Sequence, residues 1–299
     1  MARGRLRGCP SPGFYCAVGG RIECLGRAAN RWSTWHTSNR SLPKTDWGPA
    51  LSGKLILCGT PIGNLGDASP RLAEALKEAG LVFAEDTRRA KRLLDHLGVG
   101  TPVSSYFLGN ERARSSQLAE RLAAGETVAL ITDAGMPGVS DPGYSAVAAA
   151  KAVGAKLIVV PGPSAVTAAV TLSGLVGERF CFEGFLPHKS GEKRAAIEDL
   201  SVERRPMVFF SAPRRFLADV EAMLAVFGSD RAVTVARELT KLHEEVWFGT
   251  LGGAIEEWRT REPRGEFTLV VAGAPGEAGS LAAALEEVAG RVDAGEPLS

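Results

Sequence analysis

The sequence predicts an α/β protein of two units, the first built on a parallel sheet and the second on a mixed one. Three observations carry that prediction. From residue 54 onward, short apolar runs alternate with amphipathic stretches, as strands and helices do in βαβ units. Glycine or proline closes most of these runs, punctuating the chain where turns are needed. A second series of runs begins near Phe180, and its last two flank one short helix, an arrangement suited to antiparallel pairing.

Taken in order, Lys54-Leu-Ile-Leu-Cys58 is a short apolar run closed by Gly59-Thr-Pro61, as a buried parallel strand requires. Ser69-Pro70 supplies an N-cap and an N1 proline for a helix whose stripe is Leu72, Ala75, Leu76 and Ala79, stopping at Gly80. Residues 81–84 form the next strand, and a helix bearing Leu93, Leu94 and Leu97 runs to Gly98. A helix over 115–124, a strand over 128–132, a helix over 144–153, a strand over 156–160 and a helix from about Ser164 follow. The second unit has strands at 180–185, 207–211, 232–236, 246–248 and 267–272, with helices near 191–201, 214–227 and 253–260. Strands 246–248 and 267–272 are expected to pair antiparallel. The boundaries are then 1–52 for a basic extension, 53–175 and 176–275 for the two α/β units, and 276–299 for a tail helix on Leu281, Leu285 and Val288. A cleft between two such units is a favoured ligand site.

Bulk properties exclude several classes. The 299 residues are 45% apolar and 23% charged, enough to bury a full core in two domains. No apolar run reaches membrane-span length, and Arg3, Arg5 and Arg7 precede a stretch broken by Pro10, Ser11, Pro12 and Gly13, a poor secretory signal. A cytoplasmic protein with no membrane partner is expected. The five cysteines are odd in number and irregularly spaced, with no C-x-x-C pair, so neither a disulfide framework nor a metal site is expected. Residues 1–52 carry a net charge of +6, lack any sustained period and are expected to be disordered. The rest of the chain is net acidic, so affinity for a polyanion needs local basic patches such as Arg88-Arg-Ala-Lys-Arg92, Lys189 with Lys193-Arg194, Arg204-Arg205 or Arg214-Arg215. Solvated helix faces are the plainer explanation of those runs.

The chemistry lies in three loops, each following a strand of the first unit: 59–66, 133–143 and 161–165. Open α/β sheets bind ligands at the carboxyl ends of their strands. Glycine there lets a flat ligand approach the backbone, and proline stiffens the loops before binding. Asp133 suits a ligand amine or ribose hydroxyl, although Asp133 and Asp141 also suit simple capping of backbone N–H groups. No Walker A loop and no G-x-G-x-x-G fingerprint is present.

These residues also carry a resemblance. Thr60-Pro-Ile-Gly-Asn-Leu65, Ala84-Glu-Asp-Thr-Arg88, Asp133-Ala-Gly-Met-Pro137, Asp141-Pro-Gly-Tyr144, Pro161-Gly-Pro163, Phe182-Glu-Gly-Phe-Leu-Pro187 and Ala236-Arg-Glu-Leu-Thr-Lys241 occur in that order. Over roughly 53–275 the chain resembles the 16S rRNA cytidine-2′-O-methyltransferase branch (the RsmI family) of the tetrapyrrole-methylase superfamily. The resemblance implies a bent two-domain α/β fold, a homodimer, and S-adenosylmethionine in the interdomain cleft, with 53–175 as the methyl-donor-binding domain. It implies 2′-O-methylation of a cytidine ribose, of the cytidine-1402 type, in the 16S rRNA of the small ribosomal subunit, without a metal. It places Thr60, Pro61, Gly63, Asn64, Asp133, Gly135, Pro137, Ser164 and Ala165 around the donor, and Glu183, Arg237, Glu238 and Lys241 on the cleft from the second domain. The chain departs from the family where Phe107, Leu108 and Gly109 fill a segment that usually holds histidines, and where Met136 replaces a common threonine.

Methyl transfer to a ribose hydroxyl needs alignment with an already activated donor, and a base helps as the proton leaves. Asp86, Glu183 and Glu238 are the candidate bases, with Arg88 and Lys241 placed to hold phosphate or tune a carboxylate. The plainer roles are an N-cap for Asp86 and a surface turn for Glu238 to Lys241. His96, His188 and His243 are isolated and read as structural or exposed. Two rival functions stay open: methylation of a carboxylate-rich tetrapyrrole, against which 60–65 and 236–241 argue, and a non-catalytic RNA- or ribosome-binding role.

Overall fold

The computed structural model describes residues 53–275, with Cys16–Val18 (β1) and Arg21–Glu23 (β2), which pair antiparallel within the basic extension. The remainder of that extension and the expected tail helix lie outside the described residues.

The first sheet holds β3 (Lys54–Cys58), β4 (Leu81–Ala84), β5 (Val103–Ser105), β6 (Thr127–Ile131) and β7 (Lys156–Val160). Its order is β5-β4-β6-β3-β7, with all pairings parallel. Helices α1 (Pro70–Glu78) and α2 (Thr87–His96) cover one face over Ile56, Val82 and Ala129. Helices α3 (Glu111–Ala123) and α4 (Tyr144–Ala152) cover the other over Leu55, Phe83 and Leu130. Burial on both faces explains why β3, β4 and β6 read as continuous apolar runs rather than alternating ones. The expected start of α1 is present: Ser69 Oγ accepts from Leu72 N at 3.2 Å, and Pro70 opens the helix. Helix α3 begins a turn earlier than its apolar stripe predicts, because Asn110 and Glu111 precede the first buried residue, Ser115.

The second sheet holds β8 (Cys181–Phe185), β9 (Met207–Ser211), β10 (Ala232–Arg237), β11 (Glu245–Thr250) and β12 (Phe267–Val271), in the order β11-β10-β12-β9-β8. Only β8 and β9 run parallel. The expected pairing of 246–248 with 267–272 is not what forms. Strand β10 lies between them and pairs antiparallel with both. Val233, Thr234, Val235 and Ala236 are all buried, so β10 needs neighbours on both edges to satisfy its backbone. Helices α6 (Ser190–Asp199), α7 (Phe216–Phe227) and α8 (Leu251–Arg259) cover the face carrying Phe209, Val235 and Leu269. The opposite face, with Val208, Ala236 and Val270, receives α5 (Ala165–Ser173) through Val166 and Ala169. Among the described residues no helix is long and apolar enough to cross a membrane.

Candidate active site

Strands β6, β3 and β7 are adjacent and parallel, so the loops after them must emerge side by side. They interlock tightly. Thr60 N donates to Gly135 O at 2.9 Å, and Gly135 N returns to Thr60 O at 3.1 Å. Gly59 N donates to Val160 O at 2.9 Å, and Gly59 and Gly162 meet backbone to backbone, with no room for a Cβ on either. Gly135 holds φ at +79°, open to glycine without strain.

The three loops face the α5 side of the second sheet across two adjoining cavities. The more enclosed one, about 380 Å³, is lined by Gly135, Asp141, Ser164 and Ala165 from the loops and by Phe210 and Ala236 from the sheet. The other, about 420 Å³, is lined by Thr60, Pro61, Gly63, Arg89, Asp133 and Lys241. Ile62, Ala134 and Glu266 line both, so the two form one cleft. Of the remaining residues expected around the donor, Pro137 lines neither cavity, and Asn64 is an exposed cap whose Oδ1 accepts from Gly66 N at 2.9 Å.

The expected acid–base residues are distributed unevenly. Asp86 caps α2 through Arg88 N at 2.8 Å and pairs with the Arg88 guanidinium at 2.9 Å. Those bonds from Arg88 hold its carboxyl well below the ordinary range. Arg88 itself is exposed and lines a separate groove on α2. Glu183 is exposed on β8 and lines neither cavity, whereas Phe185, beyond a bulge at Phe182/Gly184, does. Glu238 Oε1 accepts from Lys241 Nζ at 2.7 Å and from Glu266 N at 2.9 Å. Burial alone raises this carboxyl, but the Lys241 bond and the Glu266 N–H outweigh it and hold it low. Arg237 is occupied by Arg264 O and Glu245.

Strain gathers around the same cleft. Ser140, Glu238 and Thr240 hold φ at +62°, +52° and +66°. A β-branched residue there is a genuine outlier, and such outliers cluster at functional sites. Thr240 Oγ1 is buried without a hydrogen-bond partner and faces Gly63.

Residues 133–143 were legible as a loop, but the surroundings of Asp141 were not, because Asp-Pro-Gly reads as a turn. Asp133 caps a backbone N–H, accepting from Asp86 N at 2.9 Å, and pairs with Arg89 at 3.5 Å. Asp141 makes no hydrogen bond or ion pair among the described residues. Burial, then the charges of Glu85, Asp133 and Glu266, push its carboxyl up to about 7 from 3.8. Folding therefore favours its protonated form. That stability is full below the unfolded value and is lost as pH rises through about 7. Asp141→Asn is expected to gain stability over the parent as pH rises from 4 to 8, by about 1–3 kcal/mol after allowing for partial exposure. Paired thermal melts across that range check the sign.

The profile of the Tetrapyrrole (Corrin/Porphyrin) Methylases matches residues 54–255. The chain is 45% identical over 225 residues to the ribosomal RNA small subunit methyltransferase I of Synechocystis sp., covering 75% of this chain and 81% of that one. It is 43% identical over 221 residues to the protein of the same name in Thermotoga maritima, covering 74% and 99%. The chain belongs to the tetrapyrrole methylase family, on its ribosomal RNA small subunit methyltransferase I branch. Among solved structures, uroporphyrin-III-C-methyltransferase from Thermus thermophilus matches with a TM-score of 0.53 at 18% identity, covering 73% of this chain and 94% of that one. At that identity the match shows the tetrapyrrole methylase fold alone. The span matched to the family takes in the whole first sheet and the second sheet as far as β11, and β12 follows it. Among the described residues no group of three or more His, Cys, Asp or Glu side chains is placed to hold a metal ion.

Proposed function

We propose that the protein transfers a methyl group from S-adenosylmethionine to the 2′-hydroxyl of a cytidine in the 16S rRNA of the small ribosomal subunit. The observation that carries this reading is sequence identity above 40%, across most of both chains, with proteins named ribosomal RNA small subunit methyltransferase I. The cleft suits the donor. Its loops approach so closely that only glycine fits at 59 and 162, and its apolar lining suits a flat nucleoside. Asp133 and Glu266 line it, and these carboxylates complement a ligand bearing sulfonium and ammonium charges. Thr60, Pro61, Gly63, Gly135, Ser164 and Ala165 would hold the donor. Bound there, it supplies an electrophilic methyl carbon, and the chain's task is to align the hydroxyl oxygen and accept its proton.

Two exposed aromatics favour an RNA substrate over a tetrapyrrole. Phe107 and Tyr144 are 45% and 84% exposed, and one carboxylate ties their loops together. Glu111 accepts from Tyr106 Oη at 3.3 Å, from Gly143 N at 3.3 Å and from Ser145 N at 3.4 Å. Unpaired bases stack on such rings. Phe107→Ala and Tyr144→Ala are each expected to weaken binding to the subunit by roughly tenfold, within the range of one lost base stack. Donor affinity should not move. Filter binding against calorimetry separates the two.

We also propose that two copies associate through edge strand β7, where Leu157 and Val159 are exposed. Val159→Asp should then shift the sedimenting species from dimer to monomer. The proposed compartment is the cytoplasm. The deciding experiment supplies labelled methyl donor and small subunits lacking the modification, followed by nucleoside analysis. Label is expected on a cytidine ribose. Label on a base, or on a porphyrinoid and never on RNA, would overturn the reading.

A further inference from the structure

We propose that Asp141 is the general base of this methyl transfer, taking the proton of the attacking ribose hydroxyl. The proposal rests on the ribose-methyltransferase reading above. Its first support is the state of the other carboxylates at the cleft. Asp133 is held by Asp86 N and Arg89, Glu238 by Lys241 and Glu266 N, and Glu266 by Lys241 at 3.0 Å. Each has at least one oxygen held by a hydrogen bond or an ion pair. Asp141 lines the more enclosed cavity, and its carboxylate has no partner among the described residues.

The backbone carrying Asp141 is fixed. Gly138 N donates to Pro142 O at 3.2 Å, Gly143 N is held by Glu111, and Pro142 stiffens the turn. Ser140, at a strained φ of +62°, presses its Oγ close to Gly184 of β8, where the loop meets the second sheet. Asp141 is thus presented from a rigid junction at the wall facing Phe185 and Phe210. A base must sit on a rigid frame to be useful, since geometry precedes proton affinity.

Its proton affinity suits the task. The charged groups that face it are Glu85 from the turn after β4, Asp133 from the loop after β6, and Glu266 from the start of β12. All are acidic, and with burial they bring Asp141 up to about 7. A carboxylate in that range is a far stronger base than an ordinary aspartate, yet is largely ionised just above neutrality. In the step itself, the hydroxyl oxygen forms a bond to the methyl carbon while the carbon–sulfur bond breaks. The electron pair of that bond goes to sulfur, leaving a neutral thioether, and the hydroxyl proton passes to Asp141, which later returns it to water.

The test compares the parent protein with Asp141→Asn and Asp141→Glu. Calorimetry gives the affinity for S-adenosylmethionine and its thioether product, and turnover on small subunits is followed from pH 5.5 to 9. We expect Asp141→Asn to bind donor within about twofold of the parent and to lose about 10²–10⁴-fold in kcat, the usual range for a lost general base. The parent's rate should rise with pH to a plateau set by a group near 7, and that rise should vanish in the Asn variant. Asp141→Glu should keep the rise at a reduced rate, which a merely structural role would not produce. Parent-like turnover in Asp141→Asn overturns the proposal while leaving the methyltransferase reading intact. Lost donor affinity in that variant also overturns it, making Asp141 a donor ligand. A parent that labels no RNA defeats the underlying reading, and the base with it.

Discussion

Gly162→Ala is expected to lower donor affinity by more than tenfold and to destabilise the fold by about 1–3 kcal/mol, the usual range for forced overpacking. The added Cβ would sit 2.6 Å from both the carbonyl carbon and oxygen of Gly59. Backbone cannot swing aside as a side chain can. Relief requires the 161–165 loop to separate from residue 59, which strains the Gly59–Val160 bond and the Thr60–Gly135 bridge beside it. Those contacts set the width of the cleft, so stability and donor binding should fall together. Gly59→Ala meets the mirror-image clash and should behave alike. Gly100→Ala, whose Cβ meets nothing within 4 Å, is the control and should stay within about 0.5 kcal/mol of the parent. Calorimetric titration with donor, paired with thermal melts, reads both effects. Normal affinity in Gly162→Ala would mean that these turns do not shape the pocket.

That Gly59 and Gly162 touch is a fact of topology that neither local sequence announces. Four of the five strands of the first sheet were legible as short apolar runs, and in β3, β4 and β6 burial on both faces removes the polar alternation that would blur them. What could not be read locally was the order that makes β3 the neighbour of both β6 and β7, hence which loops share an edge. The second sheet shows the same limit more sharply. Strands 246–248 and 267–272 were each recognisable, but their pairing depends on β10 passing between them, which follows from global burial of Val233–Ala236 rather than from spacing. Strand β5 escaped notice because Val103-Ser-Ser105 is three residues long and only half-buried.

The site was partly legible for the same reasons. Glycine and proline at strand ends marked the loops, and capping logic placed Asp86 at the start of α2, where it lies. Glu183 was set on the cleft by the resemblance, not by any local pattern. Simple alternation cannot register the bulge at Phe182/Gly184, which leaves Glu183 exposed while Phe185 lines the cavity. Asp141 was passed over because Asp-Pro-Gly after a strand reads as a turn. The signal that could have raised it was redundancy: Asp133 and Asp141 serve one loop, and one capping carboxylate suffices there.

Asp219→Ala is expected to cost about 3–5 kcal/mol, the range for removing one partner of a buried ion pair. Asp219 is 1% exposed and Lys193 8%, so neither charge is solvated. Asp219 Oδ1 accepts from Lys193 Nζ at 2.5 Å, and Oδ2 accepts from Ser211 Oγ at 2.7 Å. Arg215, 3.5 Å away, ties the same carboxylate to the turn after β8 by donating to Leu186 O and Pro187 O. Truncation strands the Lys193 ammonium under α6 and releases Ser211, a wall residue of the enclosed cavity. The loss measures an uncompensated charge rather than the net worth of the pair. The double variant Lys193→Met/Asp219→Leu should therefore recover most of it, because well-packed apolar groups replace a buried pair at little cost. Chemical denaturation of the two single variants and the double variant forms the cycle. A loss under about 1 kcal/mol in Asp219→Ala would mean that water reaches Lys193. A double variant no better than either single would mean that the network is held by packing, not charge.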